Sequence, residues 1–314
     1  MTVARTEVSF RVAFACLIAG AVGIAFAPIF VRWSEVGPSA TAFYRLLLAL
    51  PVFAAWQVAW VAREPAPIPR APGQSEPGSQ RRSAVFPGSA RDLFWLVLPG
   101  LFFAGDLALW HWSIRLTSVA NATLFANFAP ILVTIVARVL FLEQIRPVFV
   151  VGLLLASTGA LFVVGSSAIL ARGQVLGDLL GLATAFFYAG YLLSVKQARR
   201  RHSTLVVMIW SSLGACPVLG VLALLSGEVL VPRTVLGWVE LVGLACVSQI
   251  AGQGLIAFAF RHLAPPFSAV SLPAQPLVAA LLAWAFLREP LSVLPAVGCF
   301  AVLMSIGLAS AGRS

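Results

Sequence analysis

The sequence predicts an all-α integral membrane protein whose ten transmembrane helices form two inverted five-helix repeats. Of its 314 residues, 60% are hydrophobic and only 10% are charged, and the mean hydropathy is +0.96. Soluble domains carry about 25% charged residues, so the composition excludes that class. Two further observations define the architecture. Long apolar runs recur along the whole chain, and matching residues in its two halves are separated by a constant 146 positions.

Ten runs reach the length of roughly 20 apolar residues that a helix needs to cross the hydrocarbon core. Helix starts are indicated by prolines in first turns and by Asp92 and Ser203 as N-caps. The segment 63–90 lacks the apolar surface to fold and is predicted to be a mobile cytoplasmic loop. The predicted spans are 11–32, 38–61, 92–115, 118–141, 147–167, 176–197, 203–225, 235–260, 266–287 and 292–311.

The net charge of +10 follows the predicted topology. With the N-terminus inside, the inner loops hold fourteen of the 21 Lys and Arg residues and the outer loops hold five. By the positive-inside rule this predicts a multi-pass membrane protein with both termini cytoplasmic, and the expected location is the bacterial inner membrane. The basic charge is thereby explained, and no nucleic-acid partner is expected.

An internal repeat divides the chain into 1–167 and 176–314. Pro130 lies 13 residues before Glu143, and Pro276 lies 13 residues before Glu289. The same 146-residue offset places Arg115 on Arg261. Because each unit crosses the membrane five times, its second copy must insert upside down. This is an architecture of many secondary transporters, with the binding site between the repeats.

Two short segments carry a resemblance to a known family. Leu287-Arg288-Glu289-Pro290-Leu291-Ser292 resembles the closing motif of the ten-helix EamA branch of the drug/metabolite transporter superfamily, and Gly177-Asp178-Leu179-Leu180 resembles the opening of its second half. The first half departs from the pattern at Gln144 and Ile145, although Glu143 is retained. The resemblance implies a secondary transporter, and within the family the chain is similar to bacterial exporters of aromatic amino acids.

Asp106 is the clearest candidate for a functional charge, because a carboxylate inside the membrane needs a partner, a cavity or a function. It is read either as a site for a cation, a proton or a substrate ammonium, or as a structural partner of Arg45. Uncharged polar residues also align on predicted inner helices, at spacings of three or four residues. Aromatic side chains nearby are candidates for stacking a planar substrate. The predicted substrate-binding residues are Asp106, Trp110, Phe125, Asn127, Tyr188, Gln249, Gln253, Ser271 and Gln275.

Prolines inside the spans are predicted to kink the helices and to free carbonyl groups for a ligand or water. Pro28, Pro130 and Pro276 are therefore predicted hinges. Glu143 and Glu289 lie at helix ends and are predicted to have structural roles.

These features predict a secondary active transporter that exports small amphipathic solutes, above all amino acids, by alternating access. A multidrug or organic-cation exporter of the same fold is the alternative. An enzyme is not expected, since the chain lacks an HExxH or GxxxxGK motif, and no cofactor or metal is expected. The expected partners are a small-molecule substrate and the lipid bilayer. Proton coupling and the oligomeric state stay open, although a monomer already contains both repeats.

Overall fold

The computed structural model describes residues 10–63, 86–129, 132–133, 135–136, 172–262, 275 and 278–289. Every regular element in these residues is helical. The helices are α1 (Phe10–Ala25), α2 (Ala27–Trp33), α3 (Pro38–Arg63), α4 (Ala90–Leu116), α5 (Val119–Ala126), α6 (Arg172–Ala198), α7 (Thr204–Leu225), α8 (Val235–Gly243), a π-helical stretch (Leu244–Gly252), α9 (Gln253–His262) and α10 (Val278–Leu287).

Six segments of the described chain are long and apolar enough to cross a membrane, which agrees with a multi-pass helical fold. Predicted spans 118–141 and 266–287 are described only in part. Predicted spans 147–167 and 292–311 lie outside the described residues, as does most of the predicted loop 63–90. The six segments are Phe10–Trp33, Pro38–Ala62, Ala90–Leu116, Gln174–Ala198, Thr204–Leu225 and Val235–Ile256.

Serine and threonine hydroxyls begin several of these helices. Ser203 caps α7 as predicted, accepting a hydrogen bond from the backbone N–H of Val206 at 3.3 Å. The predicted cap of α4 is wrong, because Asp92 lies inside the first turn and donates its own N–H to the Oγ of Ser89. Ser89 is thus the residue that satisfies the free amide groups of this turn.

The predicted helix 235–260 is interrupted, because its central part is wound as a π-helix. The hydroxyl of Ser248 in this stretch donates to the carbonyl of Gly23 on α1 at 2.9 Å. A Cβ added at Gly252 would lie 2.8 Å from the side chain of Ile24, so the two elements approach as closely as glycine permits. Such π turns are often found at functional sites.

Small residues likewise allow α4 to pack tightly against α6 and α7. A Cβ at Gly100 would come within 2.3 Å of the Ser211 carbonyl of α7, so no larger residue fits there without moving the helices apart. Close backbone approach of this kind is how helices associate in lipid, where apolar surface alone provides little driving force. Helix α4, whose inward face lines the cavity described below, is therefore held firmly in position.

Candidate functional site

The described helices enclose a cavity of about 90 Å³, measured as the space open to the centre of a water molecule. A cavity of this volume holds several water molecules, since each one needs about 10–15 Å³. Both halves of the chain contribute to its wall. The lining residues are Ile24, Ala25, Pro28, Arg45, Phe103, Asp106, Leu107, Trp110, Thr123, Ala126, Asn127, Tyr188, Gln253, Gln275 and Ala279.

Two opposite charges lie on the wall of this cavity. Arg45 on α3 is 3% exposed and Asp106 on α4 is 8% exposed. The Nε of Arg45 donates to the Oε1 of Gln249 at 2.9 Å, across 204 residues of sequence. Among the described residues, Arg45 and Asp106 form no direct ion pair with each other, because the ion pairs found there join other residues. Both side chains line the cavity without a direct ion pair between them.

Aromatic rings form a second part of the wall. Phe103 and Tyr191 stack with ring centroids 4.6 Å apart, and Tyr191 stacks on Tyr188 at 6.1 Å. Phe103, Tyr188 and Trp110 line the cavity. Stacked rings are held in place by one another and offer a flat apolar surface to a planar group.

Polar groups complete the lining. The amide of Asn127 donates to the Thr123 carbonyl at 2.8 Å, which fixes its side chain against its own helix. Pro28 has no N–H to donate four residues back, so the carbonyl of Ile24 loses its helical partner beside the cavity. The helix is broken there, between α1 and α2, and a hinge role for Pro28 stays a prediction.

The structure thus brings six of the predicted binding residues around one space: Asp106, Trp110, Asn127, Tyr188, Gln253 and Gln275. Gln249 instead binds Arg45 and is almost fully buried. Phe125 is fully buried in an apolar cluster with Leu124 and Phe128. Ser271, Pro130, Pro276 and Glu143 lie outside the described residues. Sequence reasoning treated Arg45 only as a partner for Asp106, although a buried arginine inside a predicted span was itself a signal.

A polar cluster fastens the helices at one end of the bundle. Arg32 forms an ion pair with Glu289 at 3.1 Å and also donates to the Thr117 carbonyl. The other carboxylate oxygen of Glu289 accepts the backbone N–H of Val119, at the start of α5, at 3.0 Å. Glu289 therefore joins the end of α10 to α2 and α5. This geometry is consistent with the structural role expected for Glu289.

The cluster continues from Thr117 to a buried acid. The Thr117 hydroxyl donates to Asp178 on α6 at 2.6 Å, and the Asn121 amide donates to the same oxygen at 3.2 Å. Asp178 is fully buried. These bonds link α4, α5 and α6 on the same side of the bundle as the Arg32–Glu289 pair.

At the same end, Glu35 fixes the connection between α7 and α8. Its carboxylate accepts hydrogen bonds from the backbone N–H groups of Arg233 and Thr234 and from the Thr234 hydroxyl. The Thr234 hydroxyl lowers the pKa of Glu35 below its usual range, because it stabilises the charged form.

A cavity lined by opposite charges and enclosed by membrane-spanning helices from both halves of a chain is typical of membrane transporters. The chain belongs to the EamA-like transporter family, whose model matches residues 11–165 and 175–311.

Curated relatives and a solved structure agree with this assignment. An uncharacterized transporter of Methanothermobacter thermautotrophicus is 25% identical over 194 residues, covering 60% of this chain and 56% of the relative. The pseudopaline exporter CntI of Pseudomonas aeruginosa is 26% identical over 176 residues, covering 56% of this chain and 60% of the relative. The matches thus span under two thirds of the relatives' lengths. One crystal structure shares the fold, with a TM-score of 0.63 and 20% identity, covering 96% of this chain and 98% of that one.

Proposed function

We propose that this protein is a secondary active transporter that exports small amphipathic solutes, above all amino acids and aromatic ones among them, by alternating access. The observation that carries the proposal is the pair of opposite charges, Asp106 and Arg45, on one cavity with an aromatic wall. A zwitterionic amino acid presents the complementary set of groups. In the low dielectric of a membrane each of those charges needs a partner.

The roles follow from the chemistry of each group. Asp106 accepts hydrogen bonds from the substrate ammonium. The guanidinium of Arg45, whose Nε is bound to Gln249, offers its two Nη groups to the substrate carboxylate. Trp110, Tyr188 and Phe103 pack against the side chain, and an aromatic ring fills this surface best.

Alternating access is supported by the organisation of the chain. The family model matches two consecutive stretches, in keeping with a duplicated five-helix unit inserted in opposite directions. In this proposal the Arg32–Glu289 pair closes the face expected to be periplasmic, and the helix break at Pro28 is a hinge. The name of the Pseudomonas aeruginosa relative supports export as the direction of transport. A carboxyl group at the cavity, Asp106, is also where coupling to protons would act.

An organic-cation exporter is the second candidate. Its support is the combination of Asp106 with the aromatic wall, since cations bind both carboxylates and ring faces. The two candidates differ in their need for Arg45. A zwitterion uses Arg45, whereas a cation is repelled by it.

Flux into proteoliposomes tests the proposal. Labelled phenylalanine and a labelled lipophilic cation are each offered to the wild type, Asp106→Asn and Arg45→Gln. Asp92→Asn, on the same helix α4 but outside this cavity, and Arg115→Gln, at its exposed end, are the matched controls. The proposal expects saturable phenylalanine flux that is lost in both cavity variants and kept in both controls. Cation flux that is lost in Asp106→Asn but kept in Arg45→Gln would establish the organic-cation exporter. Conductance that does not saturate would exclude a carrier of either kind.

A further inference from the structure

A second, smaller pocket lies at the other end of the bundle, where α4 begins and α6 leads into α7. Its volume is about 20 Å³, measured in the same way, which admits one or two oxygen-sized atoms. It is separate from the cavity described above and shares no residue with it. The pocket is lined by Arg91, Asp92, Trp95, Gln197, Ala198, Arg201 and His202.

His202 is the unusual member of this set. Its side chain lines the pocket and the residue is only 7% exposed, yet neither ring nitrogen has a hydrogen-bond partner within the described residues. Buried polar atoms are almost always paired. Burial lowers the pKa of His202, so its ring is neutral at pH 7 and has one N–H to donate. The ring N–H of His202 therefore lacks a hydrogen-bond acceptor among the described residues, and the pocket offers the space for one.

The charges around His202 favour an anion as that acceptor. Arg91 and Arg201 supply two guanidinium groups, and the carboxylate of Asp92 lies 3.4 Å from Arg201. One positive charge is left over. Arg201 is largely exposed, with 64% of its side chain accessible, so it can bind an outside group while Asp92 orients it.

The position of the pocket indicates which kind of molecule supplies the anion. It lies on the face that the distribution of Lys and Arg predicts to be cytoplasmic, next to Arg199 and Arg200, and Trp95 lines its wall. Tryptophan is enriched at the level of lipid headgroups. Basic pockets between transmembrane helices on this side of a membrane suit anionic headgroups.

We propose that this pocket binds one phosphate oxygen of an anionic phospholipid. The headgroup phosphate accepts the N–H of His202 and lies between the guanidinium groups of Arg91 and Arg201. The rest of the lipid stays outside, with its chains along α4 and α6.

Binding to the delipidated full-length protein tests this proposal, by native mass spectrometry and by thermal stabilisation. The probes are phosphatidylglycerol, phosphatidylcholine and inorganic phosphate. Removing one charge-assisted hydrogen bond weakens binding by about 10- to 100-fold. We therefore expect a loss of phosphatidylglycerol affinity of at least about tenfold in His202→Leu and in Arg91→Gln. His202→Gln keeps an N–H donor and retains most of the affinity, which separates donor loss from misfolding.

Arg233→Gln is the control, because it removes one exposed positive charge from the opposite end of the bundle. It should leave the affinity for phosphatidylglycerol unchanged. Equal binding of phosphatidylcholine, or an equal loss in Arg233→Gln and Arg91→Gln, would overturn a specific site. Binding of inorganic phosphate without binding of phosphatidylglycerol would overturn the lipid as its source. Unaltered affinity in His202→Leu would overturn the role of the histidine.

Discussion

Replacing Arg45 with methionine removes the positive charge from the cavity while keeping a long, flexible side chain. Among the described residues the guanidinium donates one hydrogen bond, to Gln249, and Arg45 lines the cavity. A hydrogen bond to a charged group contributes about 1.5–3 kcal/mol. Loss of the substrate carboxylate's partner should thus weaken phenylalanine binding by about 10- to 100-fold.

The choice of ligand makes this measurement specific. Phenethylamine has the ring and the ammonium of phenylalanine but lacks its carboxylate. We expect Arg45→Met to leave phenethylamine affinity unchanged or to raise it, since a repelling charge is removed. Gln249→Leu is the matched variant, because it breaks the same hydrogen bond but keeps the charge. It should have a small effect on both ligands.

Calorimetry on the purified protein measures these affinities. Equal weakening of both ligands in Arg45→Met would refute the assigned role of the arginine, since Arg45 would then support the fold alone. That role is also refuted if phenylalanine affinity does not change, or if Gln249→Leu reproduces the full loss.

Three further predictions concern other parts of the bundle. Exchanging the charges of the Arg32–Glu289 pair one at a time should slow transport, and the double exchange should restore part of the rate; single variants as active as the wild type would remove the pair from the mechanism. Glu35 has a lowered pKa, so its contribution to stability is present above its usual value of 4.5 and is lost as the pH falls below it. Melting temperatures from pH 7 to 3 should show this loss, and Glu35→Gln should reduce the pH dependence. Phe125→Ala should leave ligand affinity intact but cost about 3–5 kcal/mol of stability, because it opens a hole in an apolar cluster; equal melting temperatures would contradict that packing.

The positions of the membrane spans could be predicted from the sequence because the pattern they depend on is local. Apolar run length placed the span 38–61 within two residues of α3, and 203–225 within one residue of α7. The prediction 176–197 missed the first turn of α6, which begins at Arg172, because Arg172, Gly173 and Gln174 interrupt the apolar run there. Apolar run length therefore places the middle of a helix well but does not mark a polar end.

The candidate site likewise has features that the sequence predicts and features that it does not. Asp106 and Trp110 are four residues apart, and this spacing predicts a shared face, where the structure places both. Phe125 and Asn127 are two residues apart and point in different directions, so proposing both for one cavity overlooked the helical period. Their roles in transport stay predictions.

Two features depend on contacts across the whole chain. The bond between Arg45 and Gln249 spans 204 residues, so a carboxylate nearer in the sequence seemed the natural partner for the arginine. The π-helical stretch lies where α1 approaches closely at Gly23, and local propensity does not encode this contact between distant segments. In both cases the deciding interaction is tertiary.

The most direct test of a carrier with a central cavity is the accessibility of Gln253 from the two sides of the membrane. A Gln253→Cys variant is prepared in a background without Cys16, Cys216, Cys246 and Cys299, and is treated with an impermeant thiol reagent in sealed vesicles of each orientation. The account predicts labelling from both sides and protection by phenylalanine in each case. Labelling from one side only, or labelling that phenylalanine does not reduce, would contradict it.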